Sequence, residues 1–142
     1  MIKYLVVFAV MVSSLMASDT YKAVFDCANG NMKFVNSRMW LIEETAKELS
    51  AKKTDYEFVL TIHSQCTQIV KKSHEDKMVK MIHKRLKDLK DKYNVKIEAC
   101  EIALNRWKIG KDDRLPFIDT VKNSITRVIK LQNDGFALIP YH

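Results

Sequence analysis

Glycine and proline are scarce in this chain, three and two residues among 142. That leaves no glycine-rich phosphate loop, no Pro/Gly linker and no low-complexity stretch, and no serine-hydrolase motif is present either. Cysteine is also sparse, at three residues. An odd count is too small for a disulfide framework, and the absence of a C-x-x-C pair disfavours a thioredoxin-like site. A block of one charge sign is missing as well. The chain carries 24 Lys and Arg against 17 Asp and Glu, but in Lys84-Arg85-Leu86-Lys87-Asp88-Leu89-Lys90-Asp91-Lys92 the signs alternate. That is a solvated helix face with i,i+4 ion pairs, not the one-sign stripe that nucleic-acid binding needs. A mildly basic surface suits small anions.

The apolar run at the start, Tyr4 to Val12, is shorter than the roughly 20 residues that span a bilayer. With Lys3 before it and Ser13-Ser14-Leu15-Met16-Ala17 after it, Met1–Ala17 reads as a cleaved secretory leader. The expectation is a mature chain Ser18–His142 in the periplasm, one domain, with no membrane association once the leader is gone.

The rest of the chain alternates strand and helix. Tyr21–Cys27 and Tyr56–Ile62 read as strands rich in aromatic and branched residues. Val35, Met39, Ile42, Ala46 and Leu49 recur at helical spacing, as do Met78, Ile82, Leu86, Leu89 and Tyr93. Ser73 followed by Asp76 resembles a capping box opening the second helix. Lys96–Ala99, a helix around Ala103–Trp107, a short strand Phe117–Val121, a helix capped by Asn123 or Ser124 and a strand Phe136–Pro140 complete the pattern, with Gly135 as the stop before the last strand. Ile125, Val128, Ile129 and Gln132 mark the last helix, and Trp40, Trp107, Phe25 and Phe58 are most simply core. Alternation of this kind predicts an α/β fold: a three-layer α/β/α domain on a five-stranded parallel sheet.

Cys100 stands where the third strand passes into a helix. In an open α/β sheet that junction is where chemistry is done, and a thiol at a helix start meets free N–H groups and the positive end of the dipole, both favouring thiolate. Cys27 ends the first strand and Cys66 follows the second, so a parallel sheet brings all three cysteines to one edge, close enough for at least one pair to meet. A central first strand would make Cys27 the neighbour of Cys100; a central second strand would make it Cys66.

The segment Tyr93–Ile109, the tail Phe117–Val121 and the run Leu131-Gln132-Asn133-Asp134-Gly135-Phe136-Ala137 resemble the DsrE/DsrF family, including its TusD and YchN branches. Ile62-His63 matches the family's turn after the second strand, with Ser64 where glycine is usual. The resemblance implies a five-stranded parallel fold, a homo-oligomer (trimer or hexamer), and sulfur relay in which Cys100 carries sulfane sulfur as a persulfide between donor and acceptor proteins, without cofactor or metal. His63 and Arg106 are accessory candidates, the first for proton transfer or thiolate orientation and the second for steering an anionic donor. Cys27 and Cys66 are candidates to trap or resolve Cys100. Other readings stay open: a small-ligand or protein-interaction module with Cys100 merely buried, a thiol–disulfide carrier, and a weakly signalled metal site from His63, Cys66, Cys27 and Cys100.

Overall fold

The computed structural model describes residues 19–141; the leader read over Met1–Ala17 lies outside the described residues. Five strands, β1 (Tyr21–Cys27), β2 (Tyr56–Ile62), β3 (Lys96–Cys100), β4 (Asp119–Val121) and β5 (Ala137–Tyr141), form one sheet in the order β4-β3-β2-β1-β5. Every pairing is parallel. The helices are α1 (Met32–Ala51), α2 (Lys77–Tyr93), α3 (Glu101–Arg106) and α4 (Ser124–Asn133), with a 3-10 segment, Ser64–Val70, between β2 and α2.

Strand order fixes which face each helix covers. From β1 to β4 the chain steps across the sheet in one direction, and right-handed crossovers then put α1, α2 and α3 on one face. The return from β4 to β5 runs the other way and places α4 on the opposite face. The packing agrees. Val35, Met39 and Ile42 of α1, Ile82, Leu86 and Leu89 of α2, and Leu104 of α3 share a core with Phe25, Phe58, Leu60 and Ile97 of the sheet. Leu131 of α4 packs instead with Val24, Val59 and Phe136. The helices leaving β3 and β4 thus diverge to opposite faces, and the crevice between their starts is the topological switch point, where ligands of open α/β sheets bind. Cys100 is at its edge, in register with Val121 of β4.

Local details depart from the sequence reading in four places. The N-cap of α2 is Asp76, whose carboxylate accepts from the Met78 N–H, while Ser73 donates to Asp113; no capping box starts at Ser73. Trp40 and Trp107 are not core: they are 47% and 41% exposed. Trp40 lies off the stripe Val35-Met39-Ile42-Ala46-Leu49 that α1 buries, and the Trp107 indole N–H donates to the Ser64 carbonyl at the surface. In α4 the buried residues are Ser124 and Leu131, whereas Ile125 and Ile129 are largely exposed. The fourth strand is only Asp119–Val121, since Phe117 and Ile118 belong to the approach to it. Asn123 does cap α4, accepting from the Ile125 N–H, and Gly135, at φ +90°, supplies the left-handed residue that ends it.

Candidate functional site around Cys100

Cys100 is the N-cap of α3 and is 4% exposed. Its sulfur sits by two helix starts. The Ser124 N–H, the first of α4, donates to Sγ at 3.4 Å, and the Ile102 and Ala103 N–H groups of the first turn of α3 favour its anion without forming a capping bond. Burial pushes the thiol's pKa up. The N–H groups of Ala103, Ser124 and Ile102, with the Ser124 hydroxyl, act against it and win, so the pKa lies below the ordinary thiol value. Hydrogen bonds to the anion, with no charged side chain among the causes, favour the thiolate here.

Cys27 and Cys66 are joined to each other, with Cα atoms 5.8 Å apart and both side chains buried. Cys100 is the free cysteine among the described residues. The second strand is central, yet Cys66 does not pair with Cys100, because the chain turns after β2 and carries it back against the end of β1; alternation also puts Cys27 on the α1/α2 face of the sheet. The bond removes Cys27 and Cys66 from the thiolate ligands of the metal reading. Among the described residues, no group of three or more His, Cys, Asp or Glu side chains stands together in a metal-holding arrangement.

The α4 face of the sheet carries a polar row. Asp26, Thr61 and Glu98 are register neighbours across β1, β2 and β3. Strand alternation points them at α4 with Val24 and Val59. Thr61 donates its hydroxyl to Asp26 Oδ1 at 2.5 Å. His63 Nε2 is 3.1 Å from both Asp26 oxygens, and its Nδ1 is 2.9 Å from the Ser64 hydroxyl. With Nε2–H donating to the carboxylate, Nδ1 accepts from Ser64, so Asp26 orients the ring. At the other end, Glu98 takes a two-pronged bond from Arg127 of α4, 2.7 and 2.8 Å.

Between this row and α4 lies a cavity of about 230 Å³ lined by Asp26, His63, Ser124, Ile125, Val128 and Gln132, among others. It brings His63 beside the residue that bonds Cys100, on apolar walls with a few convergent polar groups, as small-ligand sites have. A larger and more open cleft, about 830 Å³, lies toward β4 and includes Lys72, Lys111, Arg114 and Glu101. It has mixed charge and no contact with the sulfur or its N–H donors, so the smaller cavity is the better candidate. Arg106 is not brought into either. It is the exposed last residue of α3, about 9 Å along the helix axis from Cys100. The sequence reading does not single out Asp26, Thr61, Glu98 or Arg127, and it names Ser124 only as a helix-cap candidate. The signal present was a polar residue at alternate positions of otherwise apolar strands.

The DsrE/DsrF-like family model matches residues 38–141. The chain belongs to the DsrE/DsrF-like family. An uncharacterized protein from Aquifex aeolicus (strain VF5) is 44% identical over 126 residues, covering 84% of this chain. The chain spans 56% of that relative's length. Among solved structures, a protein of unknown function from Methanobacterium thermoautotrophicum superposes with a TM-score of 0.67 at 20% identity, over 84% of this chain and 98% of that one. That likeness shows the fold, a five-stranded parallel sheet with helices on both sides. The DsrE-like match covers β2, β3, α3, β4 and α4, and so His63, Glu98, Cys100, Ser124 and Arg127, while Asp26 of β1 lies outside it. It brings the association with sulfur relay; the geometry around Cys100 is this chain's own.

Proposed function

We propose that this DsrE-like chain carries sulfane sulfur on Cys100. The observation that carries the reading is one free thiol at the start of α3 that accepts the first N–H of α4, next to a cavity. In the first step the Cys100 thiolate attacks the outer sulfur of a donor persulfide, R–S–SH. A Cys100–S–SH bond forms, the donor S–S bond breaks, and the donor leaves as R–S⁻. In the second step an acceptor thiolate attacks the outer sulfur, takes it as R′–S–SH, and returns Cys100 to thiolate. Neither step changes the overall redox state, so no cofactor is required. The N–H donors stabilise the sulfur anion that attacks first and leaves last. The approach runs past Ser124 from the cavity, where His63, held by Asp26 through Nε2–H, takes a proton from the incoming thiol at Nδ1 by giving up its bond to Ser64. The donor is a protein or small persulfide and the acceptor a protein or small thiol of the compartment to which the chain is exported, and the working form is a homo-oligomer released from its leader.

Intact mass of the purified chain before and after polysulfide exposure tests this. The account expects a gain of one sulfur, lost on treatment with reductant. An unchanged mass, with the disulfide intact, favours the ligand- or protein-binding module.

A further inference from the structure

α4 touches the sheet at three levels. Near its end Leu131 is buried among Val24, Val59 and Phe136. In its middle Arg127 binds Glu98, and at its start the Ser124 N–H meets Cys100. The first turn has little apolar anchoring of its own, since Ile125 is 67% exposed and Val128, which packs partly buried against that cluster, comes one turn later. Polar bonds therefore set where the first turn sits. Those bonds form a frame. Glu98 and Cys100 are two apart on β3 and share the face toward α4. Ser124 and Arg127 are three apart on α4, neighbours on one side of the helix. The frame is closed at both levels by Glu98–Arg127 and Cys100–Ser124. A guanidinium gripping both carboxylate oxygens fixes direction as well as distance, and this pair is well shielded, with side chains 24% and 10% exposed.

We propose that Glu98 and Arg127 are positioning residues for Cys100, their two-pronged bond holding the first turn of α4 so that the Ser124 N–H stays on the sulfur. The inference rests on the reading of Cys100 as the reacting thiol. Glu98 and Arg127 do not touch the sulfur. Ionisable groups around it on the packed elements are Glu98 on β3, Glu101 on α3, Asp119 on β4, Arg127 on α4, and His63 and Asp26 across the cavity. Glu101 accepts from Thr120, and Asp26 bonds His63.

The test is the pH profile of Cys100 alkylation by iodoacetamide in the full chain, for wild type, Glu98→Gln, Arg127→Met and Arg127→Lys, with circular dichroism to confirm folding. Positioning and direct charge predict opposite patterns. If the pair acts by holding Ser124, removing either partner raises the midpoint, by about 0.5–1 pH unit for a weakened bond to an anion, and Arg127→Lys restores part of it. If the two charges act on the thiolate through space, Glu98→Gln lowers the midpoint while Arg127→Met raises it. Opposite shifts or no shift overturn the proposal. Should either single variant unfold, the double variant Glu98→Gln/Arg127→Met leaves no lone buried charge, and its midpoint must also rise. Alkylation needs no sulfur transfer. A raised midpoint in a chain that never gains sulfur sinks the carrier reading alone, and sulfur loading with an unmoved midpoint sinks this proposal alone.

Discussion

Cys27, the last residue of β1, is disulfide-bonded to Cys66, in the 3-10 segment after β2. The bond ties the ends of two adjacent strands on the edge of the sheet where Cys100 lies, and it leaves neither Cys27 nor Cys66 as a free thiol. In the proposed relay Cys100 therefore has no free intramolecular thiol to resolve it, and the acceptor thiol comes from a partner or a second copy.

The non-reduced chain, unfolded in denaturant, should give one titratable thiol, and three after reduction. Cys27→Ser should free Cys66 and destabilise the fold by about 4 kcal/mol, the chain-entropy value for a loop of this size, across a sequence separation of 39. Thermal melts of the oxidised wild type and the variant check it. Equal melting temperatures would mean the bond adds nothing to stability.

The left-handed turn after β2 offers a second test. Ser64 holds φ +52°, a region that costs a side-chain-bearing residue about 1–2 kcal/mol. Its carbonyl still accepts from Trp107, and only its hydroxyl bonds His63. Ser64→Gly should therefore leave stability equal or raised by up to about 1 kcal/mol, since glycine's larger unfolded-state freedom takes back part of the relief. Denaturant titration measures it, and a loss above that size would show that the hydroxyl matters more than the strain.

The depressed Cys100 pKa links stability to pH. The folded state holds the thiolate at a pH where the unfolded chain still holds the thiol. The contribution is therefore absent below the folded value, grows as pH rises through it, and is complete above the ordinary thiol value of 9.0. The stability of wild type relative to Cys100→Ser should increase from neutral pH toward pH 9.0. A flat difference would mean that the N–H donors do not favour the anion.

His83 gives the acid-side counterpart. Its ring N–H donates to the Ile69 carbonyl, and burial, partly offset by that bond, holds its pKa below the ordinary 6.5. The group stays neutral in the fold, so its contribution is present above pH 6.5 and is lost as pH falls through the lower folded value. Melting of His83→Gln, compared with wild type between pH 7 and 5, should show the smaller acid loss in the variant.

Strands and their order of appearance were legible because each is a short apolar run bounded by turn residues, and the parallel sheet followed from their alternation with helices. The junction at Cys100 was legible for the same reason. Strand order was not, since it depends on which faces the helices bury. Without it the pairing of Cys27 with Cys66 had no local signal. Trp107 reads as core by composition, but its indole N–H found a partner at the surface. Arg127 looks like any solvated helix cation until β3 puts Glu98 beneath it. The polar row Asp26-Thr61-Glu98 is divided among three strands and exists only once they are in register.

The central claim is that Cys100 holds the transferable sulfur. Its most direct test is peptide-resolved mass spectrometry after polysulfide loading of wild type and Cys100→Ser, followed by incubation with an acceptor thiol. The account predicts one added sulfur on the peptide containing Cys100, its disappearance as the acceptor gains it, and no loading of the variant. Added sulfur that persists undiminished in Cys100→Ser would contradict it.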